Sequence, residues 1–337
     1  MKIRQEENAF IVILNIIFAI ALCLFAWTST LAATNIPDSE NYQTIYYSAL
    51  AGNSFGIEIG FFYLCKLGNA VGLSYISFRM IYVAAAMAIL IAAVIKYKSN
   101  ALPFFACYLI YPFLLDSIQI RSAMAQSIVI YAATFLMSKN NNKRAIRKNG
   151  IIYVVLVLIA ASQHIIALLY LSYIVVQIEN DKWYKCTIII LAAAELLFLA
   201  GRSYMFKIVQ GISLIRGQIT QYSFGGNNIS AVKYLAIYTA CVLFAWKYRC
   251  EEKGKLISSK KGNRILLANY NVVILTLLNE NMNRYFRTAI VLAYCFVFRS
   301  TEKKEIVSVF MRTGIIIVAL ALGWIFIYES GVYKFFY

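Results

Sequence analysis

The chain has one histidine and 15 carboxylates among 337 residues, so few side chains could do acid–base chemistry. His164 stands in ASQHIIALLYL, between two short apolar runs, where an imidazole suits a general base or a hydrogen-bond donor to phosphate. Asp38, Tyr42 and Tyr46 fall at i, i+4 and i+8, one face of a helix starting near Ser39. A carboxylate there, flanked by tyrosines that stack on sugar rings, would meet a saccharide; the plainer reading is that Asp38 caps the helix. Glu58, in GIEIGFF, is a second carboxylate of the same region. Arg121, Arg202, Arg216, Arg284 and Arg287 supply guanidinium forks that match phosphate oxygens. Arg284 and Arg287, spaced i, i+3, share a helix face. Snorkelling to headgroups, or pairing with Glu280, is the ordinary alternative for such arginines.

Metal chemistry has little footing. The 7 cysteines include no CxxC pair, and one histidine builds no Cys/His cage. Cys23, Cys107, Cys241 and Cys295 lie in apolar stretches and act as small hydrophobes. Nothing demands a cofactor, although the acidic segment leaves a divalent metal open.

The elements that position these residues are membrane helices. The chain is 61% hydrophobic and 14% charged, with a mean hydropathy of +0.69. Soluble domains carry roughly 25% charged residues, and disorder needs low hydrophobicity, so both classes are excluded. Apolar runs of about 20 residues recur throughout, each able to span hydrocarbon. The formal charge of +17 would suggest nucleic acid in a soluble protein. Here 19 of the 32 basic residues sit in short blocks between apolar runs: Lys2 and Arg4, Lys96 and Lys98, and the segments 139–150, 247–264 and 299–304. Blocks so placed mark the cytoplasmic side, and no nucleic acid is expected.

Parity then orders the crossings. The first apolar stretch, from Ala9 to about Leu31, exceeds a signal-peptide core and reads as an uncleaved helix with its N-terminus in the cytoplasm. No Lys or Arg occurs between residues 5 and 65, so 34–75 is an outer loop with surface helices; 57–73 lies on the surface rather than crossing. Residues 78–95 return inside, 101–117 go out and 120–138 come back. Keeping both basic loops, 139–150 and 247–264, in the cytoplasm requires two crossings within 151–178, a pair of half-length helices broken at Ser162-Gln163-His164. Spans at 186–200, 231–247, 265–279, 282–298 and 306–328 follow, with a further outer loop at 201–230. The expectation is one all-α polytopic domain over residues 1–337, of about eleven crossings, with His164 and the named arginines near its outer face.

At these residues the chain resembles the EpsG family of exopolysaccharide and O-antigen-type polymerases, similar in character to the Wzy polymerases. The resemblance is carried by Asp38, Tyr42 and Tyr46, by E-x-G-F at Glu58–Phe61, by IQIRSAMAQSIVIYAATFLM around Arg121, and by ASQHIIALLYL. NRYFRTAIVLAY near Arg284 is a weaker echo. It implies a bacterial cytoplasmic-membrane glycosyltransferase of GT-C-like plan that joins polyprenyl-diphosphate-linked oligosaccharides on the outer side. Asp38, His164 and Arg121 would be catalytic, and Tyr42, Tyr46, Glu58, Arg202, Arg216, Arg284 and Arg287 substrate-binding. A chain-length regulator and a flippase of the same pathway would be partners within the bilayer. A transporter of lipid-linked saccharides and a membrane O-acetyltransferase are the rival readings.

The charge pattern makes a direct prediction. Cysteines introduced in 139–150 of a cysteine-free variant should resist an impermeant thiol reagent in intact cells, while those in 201–230 should react. Labelling at 139–150 would overturn the orientation.

Overall fold

The structure is a computed structural model that describes residues 13, 16–18, 20–24, 27–28, 39–52, 57–138, 142–200, 236–242, 259–273, 283–298, 306–329, 331 and 334. Among these residues it is all-α, without a β-strand. The chain forms two compact units. One comprises residues 1–134, 156–167 and 294–337, and the other 135–155 and 168–293.

The first unit opens with α1 (Ser39–Ser48), α2 (Ile59–Ala70) and α3 (Tyr75–Tyr97). Ser74 starts α3, its hydroxyl accepting from the Ser77 amide at 3.1 Å. Lys98 ends it in the left-handed region, at φ 54°, and the Ser99 amide closes back on the Val94 carbonyl at 3.1 Å. At 12 residues, α2 reaches about 18 Å and cannot cross a bilayer. Its exposed stripe is apolar, with Ile59, Tyr63 and Leu67 at helical spacing.

An aromatic layer joins α1, α2 and α3. Tyr46 is fully buried, 4.8 Å from Phe78 between ring centroids, and Phe61 stands edge-on to Tyr82 at 5.4 Å. Lipid tails are as apolar as leucine, so such contacts and buried hydrogen bonds carry association here. The Tyr46 hydroxyl donates to the Leu73 carbonyl at 2.8 Å, and the Asn69 amide donates to the Tyr46 carbonyl at 2.7 Å.

The expected single crossing at 101–117 is two helices, α4 (Ala101–Ile110) and α5 (Phe113–Ile118). Pro112 explains the correction: it has no N–H to continue the ladder, and it drives Tyr111 into extended backbone at φ −159° and ψ 128°. Next comes α6 (Ile120–Leu136), whose Ser122, Ala125, Val129, Ala132 and Ala133 are all buried.

The half-length pair at 151–178 is also corrected. α7 runs Lys143–Gln163, and a 3₁₀ helix follows over Ile165–Gln177. The charge pattern suggests a loop for the basic block, but lysine and arginine are good helix formers. Asn142 caps α7 by accepting from the Arg144 amide at 3.0 Å. At 21 residues α7 spans about 32 Å. The 13-residue 3₁₀ helix spans about 26 Å, because it rises roughly 2.0 Å per residue. The break at His164 falls where the sequence placed it.

The second unit contains α8 (Asp181–Ala200), α9 (Ser259–Val273) and most of α10 (Asn283–Val297). Arg264 binds the carbonyls of Val176 and Glu179, each at 3.3 Å, together with the Ile178 carbonyl and Asp181, so a cation neutralises the end of the 3₁₀ helix. In the first unit, α11 (Ile306–Gly323) continues as one π-helical stretch over Trp324–Glu329.

Among the described residues, three segments are long and apolar enough to cross a membrane: Tyr75–Tyr97, Lys143–Gln163 and Arg312–Glu329. The basic and outer loops at 139–141, 201–235 and 243–258 lie outside the described residues.

Gly60 packs closely against the end of α7. A Cβ there would lie 2.2 Å from Ser162 Oγ and 2.4 Å from Gln163 Nε2. Gly60→Ala should therefore destabilise the fold by about 1–3 kcal/mol, read as a lowered unfolding temperature in detergent.

Candidate active site

Glu58 stands just before α2 at φ −59° and ψ 135°, and its carboxylate makes no cap to its own helix. It reaches across instead. Oε2 accepts from Arg121 Nη1 at 2.5 Å, and Oε1 accepts from the Ile165 amide at 3.0 Å. His164 Nδ1 lies 3.4 Å from the same Oε1, at ion-pair distance but out of hydrogen-bond alignment. The side chains of Glu58 and His164 are only 6% and 5% exposed, and that of Arg121 is 20% exposed. All belong to the first unit.

Each element has a reason to deliver its group. α7 ends at Gln163, where the Tyr82 hydroxyl donates to the Gln163 side-chain oxygen at 2.8 Å and fixes the helix end. The His164 carbonyl then accepts from the Ala167 amide at 2.9 Å, an i to i+3 bond that starts the tighter helix. That helix leaves the Ile165 amide without a partner of its own, and Glu58 supplies one. Arg121 sits in the first turn of α6, the end where the helix dipole disfavours a cation. Glu58 offsets this, and the rings of Tyr42 and Phe61 face the guanidinium at 5.4 and 5.6 Å.

The structure thus gathers Glu58, Arg121, His164 and Tyr42, which the sequence singled out separately. Tyr46 is elsewhere: its ring is buried in the aromatic layer, so it has no face for a sugar and serves packing. Tyr42 is also buried, at 7% exposure, and its ring meets Arg121 rather than an open surface. Arg287 is fully buried in the second unit, within electrostatic reach of Tyr170. Asp38, Arg202, Arg216 and the side chain of Arg284 lie outside the described residues. No group of three or more His, Cys, Asp or Glu that could hold a metal occurs among those described.

A model of the EpsG family matches residues 11–337. The chain belongs to the EpsG family. No curated protein and no solved structure matches it. The EpsG family is associated with polysaccharide biosynthesis, and with its apolar helices this chain is a membrane protein.

In this EpsG-family chain the sequence reading missed Asp116 and Arg79. Asp116, only 3% exposed, accepts from the Tyr108 hydroxyl and from Gln126 Nε2, both at 3.0 Å. Arg79, 6% exposed, reaches the Ser117 carbonyl at 3.5 Å. An acid inside the apolar run FLLDSIQI is itself a signal, since ionisable groups in membrane helices are costly and paired.

Removing Arg121 would leave the Glu58 charge buried without its strongest partner. Arg121→Gln should cost up to about 3–5 kcal/mol, and Glu58→Gln combined with Arg121→Gln should cost less than the two single changes summed. Unfolding of the four proteins in one detergent measures the coupling.

Proposed function

We propose that this EpsG-family protein polymerises polyprenyl-diphosphate-linked oligosaccharide repeat units at the outer face of the bacterial cytoplasmic membrane. Its N-terminus would be cytoplasmic and its plan GT-C-like. The observation that carries this reading is one buried carboxylate at a helix break with a guanidinium bonded to one oxygen at 2.5 Å and an imidazole beside the other at 3.4 Å. The growing chain, linked through diphosphate to the polyprenol, is the donor. The hydroxyl oxygen of a second repeat unit attacks the anomeric carbon, and the bond from that carbon to the diphosphate oxygen breaks. The hydroxyl proton passes to His164, and Arg121 meets the charge that develops on the departing polyprenyl diphosphate. Arg202, Arg216, Arg284 and Arg287 are further substrate-binding residues in this reading. Asp38 is the alternative base. The glycan would pass on to a chain-length regulator, with a flippase supplying repeat units through the bilayer.

Reconstitution with a lipid-linked repeat unit tests this, and a ladder of products is the expected result. Movement of the lipid-linked saccharide across the bilayer without a ladder would support a transporter instead. His164→Gln and His164→Asn keep a hydrogen bond but no titratable proton, so both should lower turnover by about 10²–10⁴-fold. Turnover of either variant within a few fold of the parent would demote His164 to a structural residue.

A further inference from the structure

The gap between His164 and Glu58 has a physical cause. Glu58 is already engaged twice, by Arg121 on Oε2 at 2.5 Å and by the Ile165 amide on Oε1 at 3.0 Å. The strong charge-assisted bond to Arg121 holds the carboxylate, and His164 Nδ1 is left at 3.4 Å, misaligned. The guanidinium cannot serve Glu58 and a substrate phosphate equally. A diphosphate carries more negative charge than one carboxylate and offers oxygens that match the guanidinium fork, so it competes for Arg121 on favourable terms.

We propose that Glu58 is a positioning residue, released from Arg121 by a bound diphosphate and then aligned on His164 Nδ1 to form the working dyad. This rests on the function proposed above. A carboxylate only 6% exposed does not remain without a strong donor, and His164 Nδ1 is the nearest ring nitrogen. Once Nδ1 donates to Glu58, the proton of the neutral ring sits on Nδ1, and Nε2 becomes the nitrogen that accepts. Catalytic hydrogen bonds that are long in the resting protein and tighten with substrate follow the same pattern. The base is thereby completed only after the donor's leaving group has docked. Water or an acceptor arriving first meets an imidazole whose Nδ1 does not yet donate to Glu58. The Ile165 amide stays on Oε1 throughout, so the carboxylate pivots rather than travels.

The single histidine makes the test direct, because ¹⁵N-histidine labelling of the full chain in detergent reports one imidazole. The two ring nitrogens distinguish the tautomers. Inorganic pyrophosphate should shift the parent toward the Nδ1–H form. Arg121→Gln should show that form without any probe, and Glu58→Gln should not respond. A short-chain prenyl diphosphate, run in parallel, separates the sources. A response to both probes assigns the bare diphosphate group, and a response to the prenyl compound alone assigns the lipid-linked one; either supports the proposal. In the polymerisation assay, Glu58→Gln should lose on the order of 10²-fold or more in kcat with the donor KM within a few fold. An equal tautomer response in Glu58→Gln and the parent would overturn the relay while leaving a diphosphate site at Arg121. No tautomer response despite calorimetric binding of either probe that depends on Arg121 would overturn it too. Absence of any Arg121-dependent binding would remove both the relay and the diphosphate role of Arg121.

Discussion

The Glu58 carboxylate has to be matched where it lies, because a charge taken out of water costs several kcal/mol unless donors surround it. Its donors come from far along the chain. Arg121 is 63 residues away and the Ile165 amide 107, so three separate elements meet at one group. Glu58, at the start of α2, thus ties the first turn of α6 to the break after α7. The same constraint explains Gly60. α2 can bring Glu58 to the break only if its first turn lies against Ser162 and Gln163, and a side chain there would hold it off.

Around that point the packing follows from lipid as solvent. Helices gain little from leaving lipid for one another, so ring contacts and buried hydrogen bonds must decide which faces meet. The 25 tyrosines suit this, offering a large ring and one donor each. Tyr46 donates to the Leu73 carbonyl and Tyr97 to that of Ile130, at 2.8 and 3.2 Å, in the first unit. Tyr184 donates to the Arg264 carbonyl and Tyr238 to that of Leu266, at 2.8 and 2.7 Å, in the second. A membrane interior has no water to satisfy a spare carbonyl lone pair, and a phenol fills that role while its ring fills space.

Composition and apolar runs carried the all-α membrane class in the sequence, and the break at His164 was legible because two short runs meet there. The boundaries at Lys143 and Pro112 do not follow from those runs. A parity count treats every basic block as a loop, yet Lys143, Arg144, Arg147 and Lys148 continue α7, since charge ends a membrane span without ending a helix. It also treats an apolar stretch as one rod, and Pro112 divides 101–118. The site was legible as a set of residue types, but spacing reports only local neighbours. That Glu58 lies between Arg121 and His164 depends on contacts whose sequence separation no periodicity encodes. Tyr46 shows that a shared helix face does not report exposure: it lies on the face of Tyr42, and both rings are buried.

Among the described residues of the first unit, Glu58 and Asp116 are both buried carboxylates, and their described partners separate them. Among its described contacts, Asp116 accepts from a phenol and an amide, Tyr108 and Gln126, both neutral donors from neighbouring segments. Such bonds stabilise a fixed arrangement, and neither donor offers an incoming anion a charge to bind. Glu58 is held by a guanidinium, with an imidazole beside it, at a point where one helix ends and another begins. The guanidinium can exchange one anion for another, and the imidazole can take up or give a proton near neutral pH. Helix ends also expose backbone groups that a shifting side chain can satisfy, as Ile165 does here. Depth of burial does not distinguish the two acids. The chemistry of the described partners does: a guanidinium and an imidazole stand beside Glu58, a phenol and an amide beside Asp116.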